Sequence, residues 1–157
     1  MLDVSLIINE NGVLESAEFD DTADLDIDTG FEEIVDYIHK TQVHIPSGVT
    51  RIGELAFNDK RWLLGVSIPG TVTSIGDNAF SDCYYMESIT IPDSVEDIGN
   101  RTFAYCEALR NVILLGETTS IANDAFFGCG KELTIRAKKG SFAERYAAEN
   151  AIRFESL

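Results

Sequence analysis

Cations are scarce in this 157-residue chain: 12 Lys and Arg stand against 27 Asp and Glu, a formal charge of −15. Phosphate backbones are held by clustered Lys and Arg, so nucleic-acid binding is excluded as a function class. An anionic membrane surface repels such a chain. Histidine is rarer still at 2, and the 3 cysteines are an odd number, which cannot form a complete disulfide framework. His39 and His44 lie far in sequence from Cys83, Cys106 and Cys129, so the close Cys/His pairs of a zinc site are missing. No apolar run approaches the ~20 residues of a membrane span. The opening "MLDVSLIINENG" has neither a basic n-region nor a long h-region, and so does not read as a signal peptide. The location stays open: cytoplasmic for the chain as it stands, cell surface if a leader is removed. Gly-rich phosphate loops, nucleophile elbows and zinc motifs are all absent, so no enzyme and no cofactor are expected. His44 shares a column with Ser67, but no oriented acid partner is visible, and a triad is not supported.

What is present is an ordinary globular composition, 45% hydrophobic and 25% charged, in a length that suits one domain with a real core. The charge is unevenly placed. Residues 1–40 hold twelve carboxylates and only Lys40 as a base, −11 in all, which leaves −4 for the remainder.

The decisive feature is an internal period of 23 residues. "TVTSIGDNAFSDC", "SVEDIGNRTFAYC" and "TTSIANDAFFGC" are near copies. In columns they give Ile45-Pro46, Ile68-Pro69, Ile91-Pro92 and Leu114-Leu115, then Ile52, Ile75, Ile98 and Ile121. Further columns are Gly53, Gly76, Gly99 and Ala122; Phe57, Phe80, Phe103 and Phe126; and Lys60, Cys83, Cys106 and Cys129. The alternations Val66-x-Ile68, Ile89-x-Ile91 and Val112-x-Leu114 read as half-buried strands. Pro ends each strand because it has no N–H to donate. The glycine after the second Ile permits either a special turn or a close backbone approach, and the Ala-Phe step reads as one short helical turn. A single unit cannot bury these faces alone, so units must stack at strand spacing, ~4.8 Å. The cysteine column then reads as a buried ladder of thiols packed as small hydrophobes, with a metal or redox site as the alternative.

The motifs L-x-x-V/I-x-I/L and "IPxxVxxIGxxAFxxC" resemble the BspA-like bacterial leucine-rich-repeat family, over residues 41–137 and about four repeats. The departures are Leu115 for Pro and Ala122 for Gly in the fourth. The resemblance implies an α/β repeat solenoid, a right-handed superhelix with a parallel strand face and short helical or extended turns, capped at both ends. It also implies ligand or protein binding, often at bacterial cell surfaces, and carries over no catalytic residue. In that scheme 1–40 is an acidic N-terminal cap of hairpin or strand plus short helix, and 138–157 is a C-terminal cap helix and strand.

Local signals agree with this division. Ser141 and Glu144 form a capping box for a helix running to about Asn150, with Phe142, Tyr146 and Ala147 on its buried face and Ile152 and Phe154 beyond. Thr29 and Glu32 offer a second box, before a face of Phe31, Ile34, Val35 and Ile38. Asp24, Asp26 and Asp28 mimic the start of a calcium loop, yet its Gly is replaced by Thr29 and its bidentate Glu by Val35. The plainer reading is a strand with Leu25 and Ile27 inward.

Repeated columns are core, so function is sought in residues that vary. Outward strand columns run His44, Ser67, Thr90, Ile113, Arg136 and Gln42, Gly65, Ser88, Asn111, Thr134. Trp62 and Tyr85, with Tyr84 beside them, form an aromatic edge of the kind that anchors interfaces, unless both rings fold over the core rim. Ile113 with Asn111 and Arg110 is a second candidate. The expected partner surface is therefore Trp62, Tyr84, Tyr85, Ser67, Thr90, Arg110, Asn111 and Ile113, binding a protein or peptide. The alternative is a structural or self-associating scaffold, and the expected state is a monomer or weak homo-oligomer.

Overall fold

The computed structural model describes residues 4–19, 41–117 and 120–157. The calcium-loop aspartates and the capping box at Thr29 lie outside the described residues.

The first strands, β1 (Val4–Ile8) and β2 (Val13–Phe19), form an antiparallel hairpin. Asn9 builds its turn: Oδ1 accepts from the N–H of Asn11 at 2.9 Å and of Val13 at 3.2 Å, and Gly12 takes a φ of +72°. The Gly12 carbonyl then accepts the Thr50 N–H at 2.8 Å, which ties the hairpin to the first repeat.

Beyond it the chain winds as a parallel solenoid of two sheets. One contains β3 (Thr41–His44), β5 (Leu63–Ser67), β7 (Ser88–Ile91), β9 (Asn111–Leu114), β11 (Thr134–Ala137) and β12 (Arg153–Ser156), stacked in chain order. The other stacks two-residue strands on the hairpin: β4 (Arg51–Ile52), β6 (Ser74–Ile75), β8 (Asp97–Ile98) and β10 (Ser120–Ile121). Register is kept, so Ile52, Ile75, Ile98 and Ile121 form one buried ladder, begun by Leu14 of β2. Three strands of the first sheet, β3, β5 and β7, end just before Pro46, Pro69 and Pro92 start a turn, the proline carbonyl accepting the N–H of Val49, Val72 or Val95 at 3.0–3.1 Å.

Phe57, Phe80, Phe103 and Phe126 stack down the centre with centroids 5.0, 5.4 and 5.1 Å apart and planes within 9° of parallel. The separation follows the strand spacing, and each such aromatic pair adds about 0.5–1.5 kcal/mol beyond its buried area. Tyr146, from the one helix among the described residues, α1 (Phe142–Glu149), ends the column edge-on at 6.0 Å and 61° from Phe126.

The short helical turn expected at the Ala-Phe step is not formed. Leu55, Asn78 and Arg101 have φ of +61°, +53° and +52°, and Asp59, Asp82 and Tyr105 have +56°, +62° and +58°. A left-handed residue at every fourth position cannot continue a right-handed helix. Alternate N–H groups instead reach the next repeat, as from Leu55, Phe57 and Asp59 to the carbonyls of Asp77, Ala79 and Ser81 at 3.1, 2.7 and 2.9 Å. This side of the solenoid is stitched like a sheet.

The glycine column serves close approach. A Cβ on Gly53 would lie 2.7 Å from the Leu14 carbonyl oxygen, and one on Gly76 would lie 2.7 Å from the Glu54 nitrogen. Neither glycine has a positive φ.

The helix begins at Ser141, but its capping box is half made. Glu144 Oε2 accepts from the Gly140 N–H at 2.5 Å, while Ser141 makes no side-chain cap bond. The Ser141 N–H already donates to the Lys138 carbonyl at 3.2 Å, so the carboxylate takes the N–H one residue earlier. Ala143, Tyr146 and Ala147 are buried, with Phe142 half-buried beside them, and Ile152 and Phe154 pack on the same core.

Candidate functional site

The outward face of the first sheet brings its varying residues into line. Ser67 pairs with His44 on one side and Thr90 on the other; Ile113 and Arg136 follow in the same register, and Glu155 of β12 completes the row. Ser67 and Thr90 are exposed and Ile113 is half-buried. In the neighbouring row Asn111 sits between Ser88 and Thr134. Arg110, at the head of β9, pairs with Glu132 at 3.5 Å while both side chains stay largely exposed. His44 and Ser67 are adjacent as their shared column requires. The next residues in that row are Thr90 and Ile113, which supply no carboxylate to orient an imidazole.

The aromatic edge lies where the chain enters β5 and β7. Arg61 extends its guanidinium over the Tyr84 ring at 5.0 Å and pairs with Asp59 at 2.9 Å. The Asp59 carboxylate, by hydrogen bond and charge, raises the Arg61 pKa above its ordinary value. Arg61, Tyr84, Tyr85, Glu107 and Ala108 line a depression of about 470 Å³. Trp62 and Tyr85 occupy the same column but not the same environment. Trp62 is packed against the core and Tyr85 is 37% exposed. Tyr85 therefore presents the more exposed ring of the two, and Trp62 lies against the core rim.

Sequence reasoning missed a second aromatic pair. Tyr105 and Phe127, 40% and 51% exposed, meet edge-to-face at 5.6 Å and 89°. The Arg101 guanidinium lies 5.6 Å from the Phe127 ring and pairs with Asp124 at 3.3 Å. The Tyr105 ring lies over Gly128, where a Cβ would come within 2.6 Å of it. The signal was available, since Phe127 follows Asn58, Ser81 and Ala104 in its column, and Tyr105 follows Asp59 and Asp82.

The cysteines form a column of free thiols. Cys83, Cys106 and Cys129 donate to the carbonyls of Phe57, Phe80 and Phe103 at 3.2, 3.1 and 3.1 Å. Burial pushes Cys83 and Cys129 up to about 12 and Cys106 well above its ordinary value. Protonated, buried thiols are poor nucleophiles and poor metal ligands. Among the described residues no three His, Cys, Asp or Glu side chains converge as a metal site, and no helix is long and apolar enough to cross a membrane.

Comparison with known proteins gives one consistent answer. The sequence profile of the BspA type leucine rich repeat region matches residues 32–150 in 6 copies. A leucine-rich repeat protein from Bacteroides ovatus ATCC 8483 superposes with a TM-score of 0.60 at 26% identity, over 99% of this chain and 39% of its own. The T. pallidum leucine rich repeat protein superposes at 0.53 with 19% identity, over 86% of this chain and 68% of its own, a likeness of fold. This chain thus spans about two fifths of the Bacteroides protein. No curated protein matches.

Proposed function

Because this chain belongs to the BspA-type leucine-rich-repeat family, we propose that it is a non-catalytic module that binds a protein or peptide through its strand face and the adjoining Tyr84–Tyr85 edge. The carrying observation is the register of the first sheet, which sets six parallel strands side by side with Ser67, Ser88 and Thr90 exposed near the middle and His44, Ile113, Arg136 and Glu155 to either side. Among the described residues no lid encloses this face and no carboxylate orients His44, while the row offers extended area and hydrogen-bond donors. Tyr85 supplies the large amphipathic ring that interfaces favour as an anchor. Arg110 and Asn111, on the strand adjoining β7, provide a polar rim.

Capture from lysate and surface extract of the native organism tests this, with wild type and Thr90→Arg immobilised in parallel. A protein retained by wild type and lost from the variant supports the reading. Equal recovery by both removes the strand face from it.

A further inference from the structure

The strand face leaves one position empty that the backbone does not require to be empty. In the column Gln42, Gly65, Ser88, Asn111, Thr134, where Gln42, Ser88 and Asn111 are exposed and Thr134 is buried, Gly65 alone lacks a side chain, and its backbone forms a buried floor between Gln42 and Ser88. A Cβ there would meet nothing nearer than the Ser88 carbonyl oxygen at 3.8 Å and Gln42 Nε2 at 3.9 Å, and its φ lies outside the left-handed region. Gly53, Gly76 and Gly99 are different, with backbone atoms 2.7, 2.7 and 2.8 Å from the same test atom. Those three glycines are demanded by the fold, whereas Gly65 is not.

The missing side chain opens a depression of about 360 Å³ across β3, β5 and β7. Its polar wall is Gln42, Ser67, Ser88 and Thr90, and its apolar shelf includes Ile68 and Leu115. Leu115 stands in the column of Pro46, Pro69 and Pro92 and is 51% exposed. Two residues that break their columns thus line one depression. In a chain of charge −15, no residue of the lining carries a formal charge.

We propose that this depression seats an uncharged, extended segment of a protein partner, with one apolar side chain laid over Gly65 against Ile68 and Leu115. The inference rests on the strand face being a binding surface and narrows what binds there. Hydroxyls and a carboxamide both donate and accept, which matches the N–H and C=O groups of an extended backbone. A carboxylate or ammonium group would lose water with no countercharge to replace it. A sugar ring finds no aromatic surface in the lining on which to stack, which favours the peptide. Glycine within a strand is also where another backbone can approach closely.

A random dodecapeptide library panned on immobilised wild-type protein supplies the probes, and calorimetry then compares the enriched peptides on wild type and Gly65→Val. The expected result is uncharged peptides with an apolar residue, bound at least tenfold more weakly by Gly65→Val, whose urea midpoint is unchanged. If the variant does unfold earlier, Leu115→Asp at its exposed position replaces it under the same criterion. Enriched peptides that bind both proteins equally, or that carry charge at the required positions, overturn the inference and leave the binding surface standing. No enrichment over an unrelated repeat protein overturns both. A concentration-dependent dimer seen by light scattering and abolished by Gly65→Val assigns the depression to a second copy of the chain instead.

Discussion

The Cys106 thiol donates to the Phe80 carbonyl at 3.1 Å, and the same oxygen accepts the Cys83 N–H at 3.4 Å. One carbonyl therefore closes its own turn and receives the next repeat. The proton on sulfur is part of the stitching, which makes stability depend on pH in a defined direction. An unfolded thiol loses its proton near pH ~8.5–9, whereas Cys83 and Cys129 hold theirs to about 12 in the folded protein. Between those values the unfolded chain binds fewer protons than the native one, so stability falls as pH rises. The contribution is complete below pH ~8, and each thiol adds a slope of at most about 1.4 kcal/mol per pH unit above it. Urea midpoints are expected to drop between pH 7.5 and 10.5, and to drop less in Cys83→Ala. Equal drops in the two proteins would refute the assignment. Thiol titration after denaturation without reductant should count all 3 cysteines.

The ring column predicts a gradient of cost. Phe80 is fully buried between two stacked neighbours, while Phe126 has one stacked neighbour and the edge of Tyr146. Phe80→Ala is expected to cost about 3–5 kcal/mol, and Phe126→Ala measurably less, by equilibrium unfolding in urea. Equal costs would mean that stacking across repeats contributes little beyond burial.

Two glycines make opposite predictions for the same change. Gly76→Ala forces a methyl group to 2.7 Å from the Glu54 nitrogen and 2.9 Å from the Gly53 carbonyl carbon. Such overpacking costs about 1–3 kcal/mol. Gly70→Ala meets nothing within 4 Å and needs no left-handed backbone. It is expected to be neutral or to stabilise by about 0.4–1 kcal/mol through the unfolded chain. Thermal melts of the pair decide the matter, and a destabilised Gly70→Ala would contradict the geometry.

Trp62 and Tyr85 should separate stability from binding. Trp62→Ala removes a ring packed on the core and is expected to lower the unfolding midpoint. Tyr85→Ala truncates a ring at the surface and should leave the midpoint nearly unchanged while weakening partner capture. A partner held equally well by Tyr85→Ala would exclude that edge from the interface.

The repeat was legible because core positions recur at the spacing of the backbone that carries them. Ile98 and Phe103 can be placed without coordinates because Ile75 and Phe80 are already there. The glycine column was legible as a restriction but not as its kind, since a turn and a close approach both select glycine. Only the 2.7 Å contact at Gly76 distinguishes them. The left-handed positions were hidden because their columns mix Asp59, Asn78 and Asp82, types that take that conformation readily, with Leu55, Arg101 and Tyr105, which do not; hydrogen bonds to the next repeat impose it on both. Trp62 and Tyr85 shared a column and so looked alike, while their exposure depends on neighbours in other columns. Tyr105 and Phe127 could have been found by the same search for broken columns that singled out Tyr85.

The glycine column bears on how such a protein can change in length, because each of its glycines meets the backbone of the repeat before it. A duplicated segment of 23 residues inserted between Gly76 and Gly99 would meet a glycine above and below, and every joint it makes already exists in the molecule. Genes for this solenoid can therefore grow by copying their middle, with no contact asked of the copy that the molecule does not already make.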